Sequence, residues 1–188
     1  QMLYWTIIFP KNLFDLNTFQ LFSNTIYLVF LSSIVLVVFS FISNYGNRVT
    51  KSKFLNFLTT FSITGYAIPG VILAVAFITF IAWFDNTFVK AFEFNSIKKI
   101  FIGSIFGLVI VYFIRFYSLA YNGLKTGYER INRSIDESSY LLGYSKIKTF
   151  LGIHVPYLKN SVFLIGILIT IEVIKELPIT LILRPFNF

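Results

Sequence analysis

The sequence predicts an all-α membrane protein, a polytopic bundle of transmembrane helices, and three observations carry that prediction. Of 188 residues, 56% are hydrophobic and 13% charged, about half the ~25% charged share of soluble domains. The mean hydropathy is +0.77. Four stretches, at 21–43, 61–84, 100–121 and 161–183, are each apolar over the about 20 residues that a helix needs to cross the hydrocarbon layer. Lysines and arginines fall mainly between these stretches and unevenly on their two sides.

The first twenty residues read as an extracytoplasmic or interfacial lead-in. Residues 3–9 are apolar but too short to span, with Tyr4 and Trp5 as interfacial anchors. Residues 21–188 form one membrane domain without a visible repeat or a soluble domain. The first span is centred on the run 34–39. The second contains Gly65, Pro69 and Gly70, and a proline in such a helix predicts a kink or plain packing irregularity. The third contains Arg115, expected to snorkel to the interface. Its Gly103 and Gly107 are spaced as a small-residue packing motif. The fourth contains Glu172, Lys175 and Glu176, spaced to share one helix face, followed by Pro178, which predicts a kink.

Positive charge sets the orientation. Segments 44–60 and 122–160 together hold nine lysines and arginines, from Arg48 to Lys159, against five on the other side. Both segments are therefore expected in the cytoplasm, and 85–99 and the C-terminus outside. This distribution also accounts for the net charge of +8 without nucleic acid. The absence of cysteine excludes disulfides, thiolate metal sites and cysteine nucleophiles. The single histidine, His154, cannot build a histidine metal cluster and is expected to be structural. No P-loop pattern and no signal-peptide pattern occur. Gln1 opens within an apolar run and Phe188 follows closely on a span, so both ends read as fragment boundaries.

Segment 122–160 is longer than a helix–helix connection needs and has internal order. Ser134 and Glu137 form a capping-box pattern. Asp136 and Glu137 suit the positive end of a helix dipole, and Gly143 suits a left-handed stop. Together they predict a short helix at 135–142. An amphipathic stretch follows, with Ile147, Phe150, Leu151 and Ile153 apolar and Lys146 and Lys148 polar, and Pro156 opens the next span. Such a helix could lie on the membrane surface or dock a cytoplasmic partner. Asn132-Arg133-Ser134 fits a glycosylation sequon, which a cytoplasmic position excludes.

The spacing Glu137-Ser138-Ser139, three residues, Gly143, nine residues, Ile153-His154-Val155-Pro156 resembles the EAA motif of ABC-importer permeases. Departures are serine for alanine at 138 and 139 and valine for leucine at 155. The resemblance implies a type I importer permease fold, with this loop as the coupling helix seated in an ATPase cleft and Glu137 and Gly143 its main positions. Gly65 to Gly70 resembles the Tyr-Ala-x-Pro-Gly stretch of the same family. Lys175-Glu176-Leu177-Pro178 through Arg184-Pro185-Phe186 resembles ferric-iron importer permeases, in which two permease halves are commonly fused. The resemblance covers about residues 17–188, reads as most of a C-terminal half, and implies a fifth span that is missing here.

What the resemblance implies is a non-catalytic permease of the bacterial inner membrane, most simply for ferric iron. Thiamine, phosphonate, sulfate or polyamine are the alternative cargoes. Its partners would be a P-loop ATPase dimer carrying ATP and magnesium, a second permease half, an extracytoplasmic binding protein and membrane lipid, with no cofactor on this chain. A secondary transporter would favour broken helices in paired repeats, which the sequence does not display, and a scaffold explains neither the loop nor the mid-span charges. Glu172, Lys175, Glu176 and Pro178 are candidates for the translocation path or gate, although Glu172 and Lys175 could equally form a self-neutralising pair buried between helices. No permanent metal site is expected, and Glu176 is at most a transient contact for a hard cation.

Overall fold

The computed structural model describes residues 16–50, 52–91 and 103–185, and every regular element in them is helical. The expected lead-in with Tyr4 and Trp5, the stretch 92–102 of the outer connection, and Phe186 lie outside the described residues. Four helical stretches are long and apolar enough to cross a membrane: Phe19–Thr50, Gly70–Thr87, Ile105–Glu129 and Lys146–Lys175.

Helix α1 spans Leu16–Thr50. At 1.5 Å per residue it is about 50 Å long, well beyond a hydrocarbon layer of about 30 Å. It therefore continues past the expected end at 43. Asn44 holds the extension in place, donating to the Ser40 carbonyl at 2.9 Å and the Tyr121 carbonyl at 3.1 Å. The connection expected over 44–60 is thus mostly helix. Ser52 caps α2, Lys53–Ile63, accepting from the Leu55 amide.

The second span, expected as one helix over 61–84 with a kink or packing irregularity at Pro69, is interrupted. After α2 the chain makes a 3-10 turn at Thr64–Ala67 and an extended residue at Ile68, then enters α3, Gly70–Ala91. Pro69 explains the break, because it pushes the preceding residue out of the helical region and offers no N–H. Gly65 lets the turn abut the next span, since a Cβ there would overlap the Ile114 carbonyl oxygen.

Helix α4, Ile105–Glu129, is capped by Ser104 and is the axis of the bundle. It packs against α1, α2, the 3-10 turn and α3. Leu108, Val111, Tyr112, Ala120 and Leu124 are fully buried along it. Gly103 stands before the cap at φ +68, so Gly103 and Gly107 do not form a stripe on one helix. The expected packing motif is replaced by a turn. Because α4 runs on to Glu129, the following connection also starts later than the expected 122.

Three short elements follow: α5, Arg133–Leu141; α6, Lys146–Thr149; and a π-helical turn at Phe150–His154 that leads into α7, Val155–Lys175. The last span, expected as one helix over 161–183 kinked at Pro178, stops at Lys175. Glu176 leaves helical geometry, and α8, Leu177–Leu183, restarts with Pro178 in its first turn. A proline N–H is surplus in a first turn, but in a continuous helix its ring would strike the carbonyl four residues back. Helix α7 packs on α1 and α4, and α8 packs on α3 and α4.

The burial pattern is that of a protein dissolved in lipid. Phe22, Phe30 and Phe39 on α1, Ile72 and Trp83 on α3, and Phe163 and Leu164 on α7 face outward, while Ser32, Ser40 and Asn44 face inward. The Ser32 and Ser40 hydroxyls lie there without a hydrogen-bond partner, but in hydrocarbon small polar side chains prefer the helix–helix interface, where partners can be met. Ser33 and Thr170 meet in this way at 3.1 Å, joining α1 to α7.

Candidate functional site

Helix α5 begins at Asn132, whose side chain accepts from the Ser134 amide at 3.3 Å. Ser134 is therefore not the cap, and the expected capping box is displaced. Asparagine is at least as good a cap as serine, and its position two residues earlier leaves Glu137 beyond the first turn, exposed. The helix ends as a left-handed stop requires. Gly143 sits at φ +82 and donates to the Tyr140 carbonyl at 3.0 Å, while the Tyr144 amide donates to Ser139 at 3.1 Å. That double closure is the Schellman arrangement.

The EAA-like residues gather on one short unit. Ser138 is exposed, whereas Ser139 is buried and its hydroxyl bonds that of Thr149, tying α5 to α6. Ile153 is half-buried and Pro156 lies in the first turn of α7. Around them is an outward apolar ridge: Leu141 is 89% exposed, Leu142 77%, Ile147 71% and Leu151 60%. A groove of about 480 Å³ runs beside it, lined by Ile135, Ser138, Leu142, Tyr144, Gly152 and Ile153.

Beneath this unit lies an ionic cluster. Asp136 accepts from Arg48 Nε at 2.6 Å through one oxygen and from His154 Nε2 at 2.9 Å through the other. Arg48 also donates to the carbonyls of Tyr128, Ile131 and Asn132. His154 is fully buried, with the rings of Tyr45 and Tyr128 about it. Tyr45 donates to the Lys146 carbonyl at 2.6 Å. The long α1 thus reaches α5, α6 and the π-helical turn together, and the two segments that charge counting assigns to one face of the membrane are in contact. From the sequence alone Arg48 is only an orientation charge and Asp136 only a dipole partner. The available signal was a run of polar residues, Asn44, Asn47 and Arg48, at the end of an otherwise apolar helix.

A second cluster lies where the broken spans meet. Arg115 is not a snorkelling side chain. Its Nε donates to Glu176 at 3.0 Å, and its Nη1 donates to the Ile68 carbonyl. The reason is local: the two breaks leave a carbonyl and a carboxylate within reach of α4, so the charge is satisfied inside the bundle. Glu176 consequently leaves the face it was expected to share with Glu172 and Lys175. Those two pair at 3.0 Å on an outward surface, their side chains 29% and 63% exposed, rather than buried between helices of this chain. Pro178 stands just beyond Glu176, and Tyr112 and Thr180 are hydrogen-bonded next to it. Among the described residues no three metal-ligating side chains converge, and a carboxylate already paired with a guanidinium is a weak ligand for a passing cation.

No curated protein matches the chain significantly. A family profile does: the one described as binding-protein-dependent transport system inner membrane component matches residues 36–184, well over half the chain. The match covers both clusters, the α5 unit, three of the four apolar helices and the C-terminal part of the first. Subunits of this kind are permeases of ABC importers, multi-pass and generally non-catalytic. This chain belongs to the family of binding-protein-dependent transport system inner membrane components.

Proposed function

We propose that α5 and α6 are the surface through which this permease subunit answers to its ATPase, and that the cargo is ferric iron. The observation that carries the first part is the ridge Leu141, Leu142, Ile147 and Leu151, exposed at the end of the bundle where positive charge predicts the cytoplasm. Four large apolar side chains so placed suit a protein cleft. The Arg48–Asp136–His154 cluster beneath gives the unit a firm seat, so that a push on α5 is transmitted to α1 and α7.

In this reading a P-loop ATPase dimer binding ATP and magnesium closes beneath the membrane, α5 carries the movement into the bundle, and the path alternates its access. A second permease half, fused or separate, completes the path, and an extracytoplasmic binding protein delivers the cargo. Segments 44–60 and 122–160 face the cytoplasm of a bacterial cell. The cargo assignment is supported by the resemblance of residues 175–186 to ferric-iron permeases. Uptake of labelled ferric ion, with thiamine, phosphonate, sulfate and polyamine as competitors, tests it directly.

The docking assignment is tested by Glu137→Arg and Gly143→Asp. Both should abolish uptake while membrane insertion continues. Coupling of ATP hydrolysis to uptake in either variant would defeat it.

A further inference from the structure

The second and last spans are both broken, and a single side chain touches both breaks. Arg115, on the unbroken α4, donates to the Ile68 carbonyl in the first break and to the Glu176 carboxylate in the second. The other Glu176 oxygen lies over Gly70, the first residue of α3, where any Cβ would overlap it. The junction is thus closed from three sides: guanidinium, carboxylate and a glycine that leaves room for the carboxylate. The side chains of Arg115 and Glu176 are 18% and 11% exposed.

Each break is a point where backbone angles can change without unwinding a helix, which is what a hinge requires. Stiff helices flank both points, α3 after one and α8 after the other, and the two helices pack together. A charge pair bridging two such hinges controls whether they move separately. The guanidinium suits the task because its fork addresses two acceptors at once, whereas an ammonium is a point charge on a flexible stem.

We propose that Arg115 is a positioning residue for transport: it latches the second and last spans together at their breaks, and release of its Glu176 arm accompanies the switch of access. This rests on the reading of the chain as an access-switching permease driven by an ATPase.

Residues 1–188 contain no cysteine, so spin labels at Tyr66→Cys and Leu177→Cys, both exposed beside the breaks, need no cysteine removal within them, and any cysteine elsewhere in the importer is replaced first. Distances between them are measured in the reconstituted importer, with and without trapped ATP. With Arg115 present, the distance should shift with nucleotide. In Arg115→Gln the nucleotide-free distribution should broaden or adopt the ATP-bound distance. ATP hydrolysis without binding protein should rise, and uptake should fall about tenfold or more. Arg115→Lys, which keeps the charge but not the fork, should fall between. Should Arg115→Gln fail to assemble because Glu176 is left unpaired, the neutral double variant R115Q/E176Q removes both charges and must show the same loss of nucleotide response.

A double variant with nucleotide-dependent distances and uptake within about twofold of the parent overturns the latch alone. A parent distance indifferent to nucleotide overturns the access-switching reading on which the latch rests.

Discussion

Replacing Asp136 with alanine isolates the seat of the α5 unit. The carboxylate holds Arg48 at 2.6 Å and His154 at 2.9 Å, and the side chains of Arg48 and Asp136 are each 11% exposed. Removing one partner of a buried ion pair costs about 3–5 kcal/mol, chiefly because the other charge is stranded. Arg48 retains the carbonyls of Tyr128, Ile131 and Asn132, so the lower end, about 3 kcal/mol, applies. At about 1.4 kcal/mol per factor of ten, α5 should open roughly 100-fold more often. Amide hydrogen exchange on peptides from 133–142 reads that opening, while protection in the middle of α4 should stay as it was. Asp136→Asn keeps an acceptor for Arg48 but not its counter-charge, and donating to His154 would move the imidazole proton to a buried Nδ1 that has no partner, so its loss should fall between the parent and Asp136→Ala. Protection in Asp136→Ala within about threefold of the parent, less than ~1 kcal/mol, would refute the reasoning and leave the Ser139–Thr149 bond and apolar packing as the fastening.

Other perturbations follow from single contacts. Gly65→Val should drive the 3-10 turn off the Ile114 carbonyl at a cost of about 1–3 kcal/mol, seen as a lower melting temperature of the purified protein. Gly143→Val should cost about 1–2 kcal/mol from the left-handed backbone alone, read as faster exchange at the end of α5 and not in α7. Tyr112→Phe removes one hydrogen bond to Thr180 without changing shape, so its loss should be only about 1 kcal/mol by thermal unfolding.

Much of the fold is written in local properties. Apolar length marks where the chain enters the membrane, because a lipid solvent tests each stretch of about 20 residues by itself. Gly143 announces its left-handed stop because only its own φ is at issue. The spacing of Glu137, Gly143 and Pro156 could be recognised for the same reason, since all three lie close together in the chain. Prolines 69 and 178 signalled irregularity, but whether each would kink a helix or break it depended on what lay alongside.

Tertiary structure decided the pairings. Arg48 finds Asp136 across 88 residues, Arg115 finds Glu176 across 61 and His154 finds Asp136 across 18. No local rule assigns such partners, since several acids and bases have suitable chemistry and only the packing of α1, α4, α7 and α8 selects among them. The expectation that Arg115 snorkels and that Glu172, Lys175 and Glu176 share a face followed from an unbroken helix in an empty membrane. By itself the sequence determined that this chain is a membrane bundle with an ordered loop at one end. Which charges would be neutralised inside that bundle, and by which partners, waited on the fold, because a buried charge takes the partner that packing brings within reach.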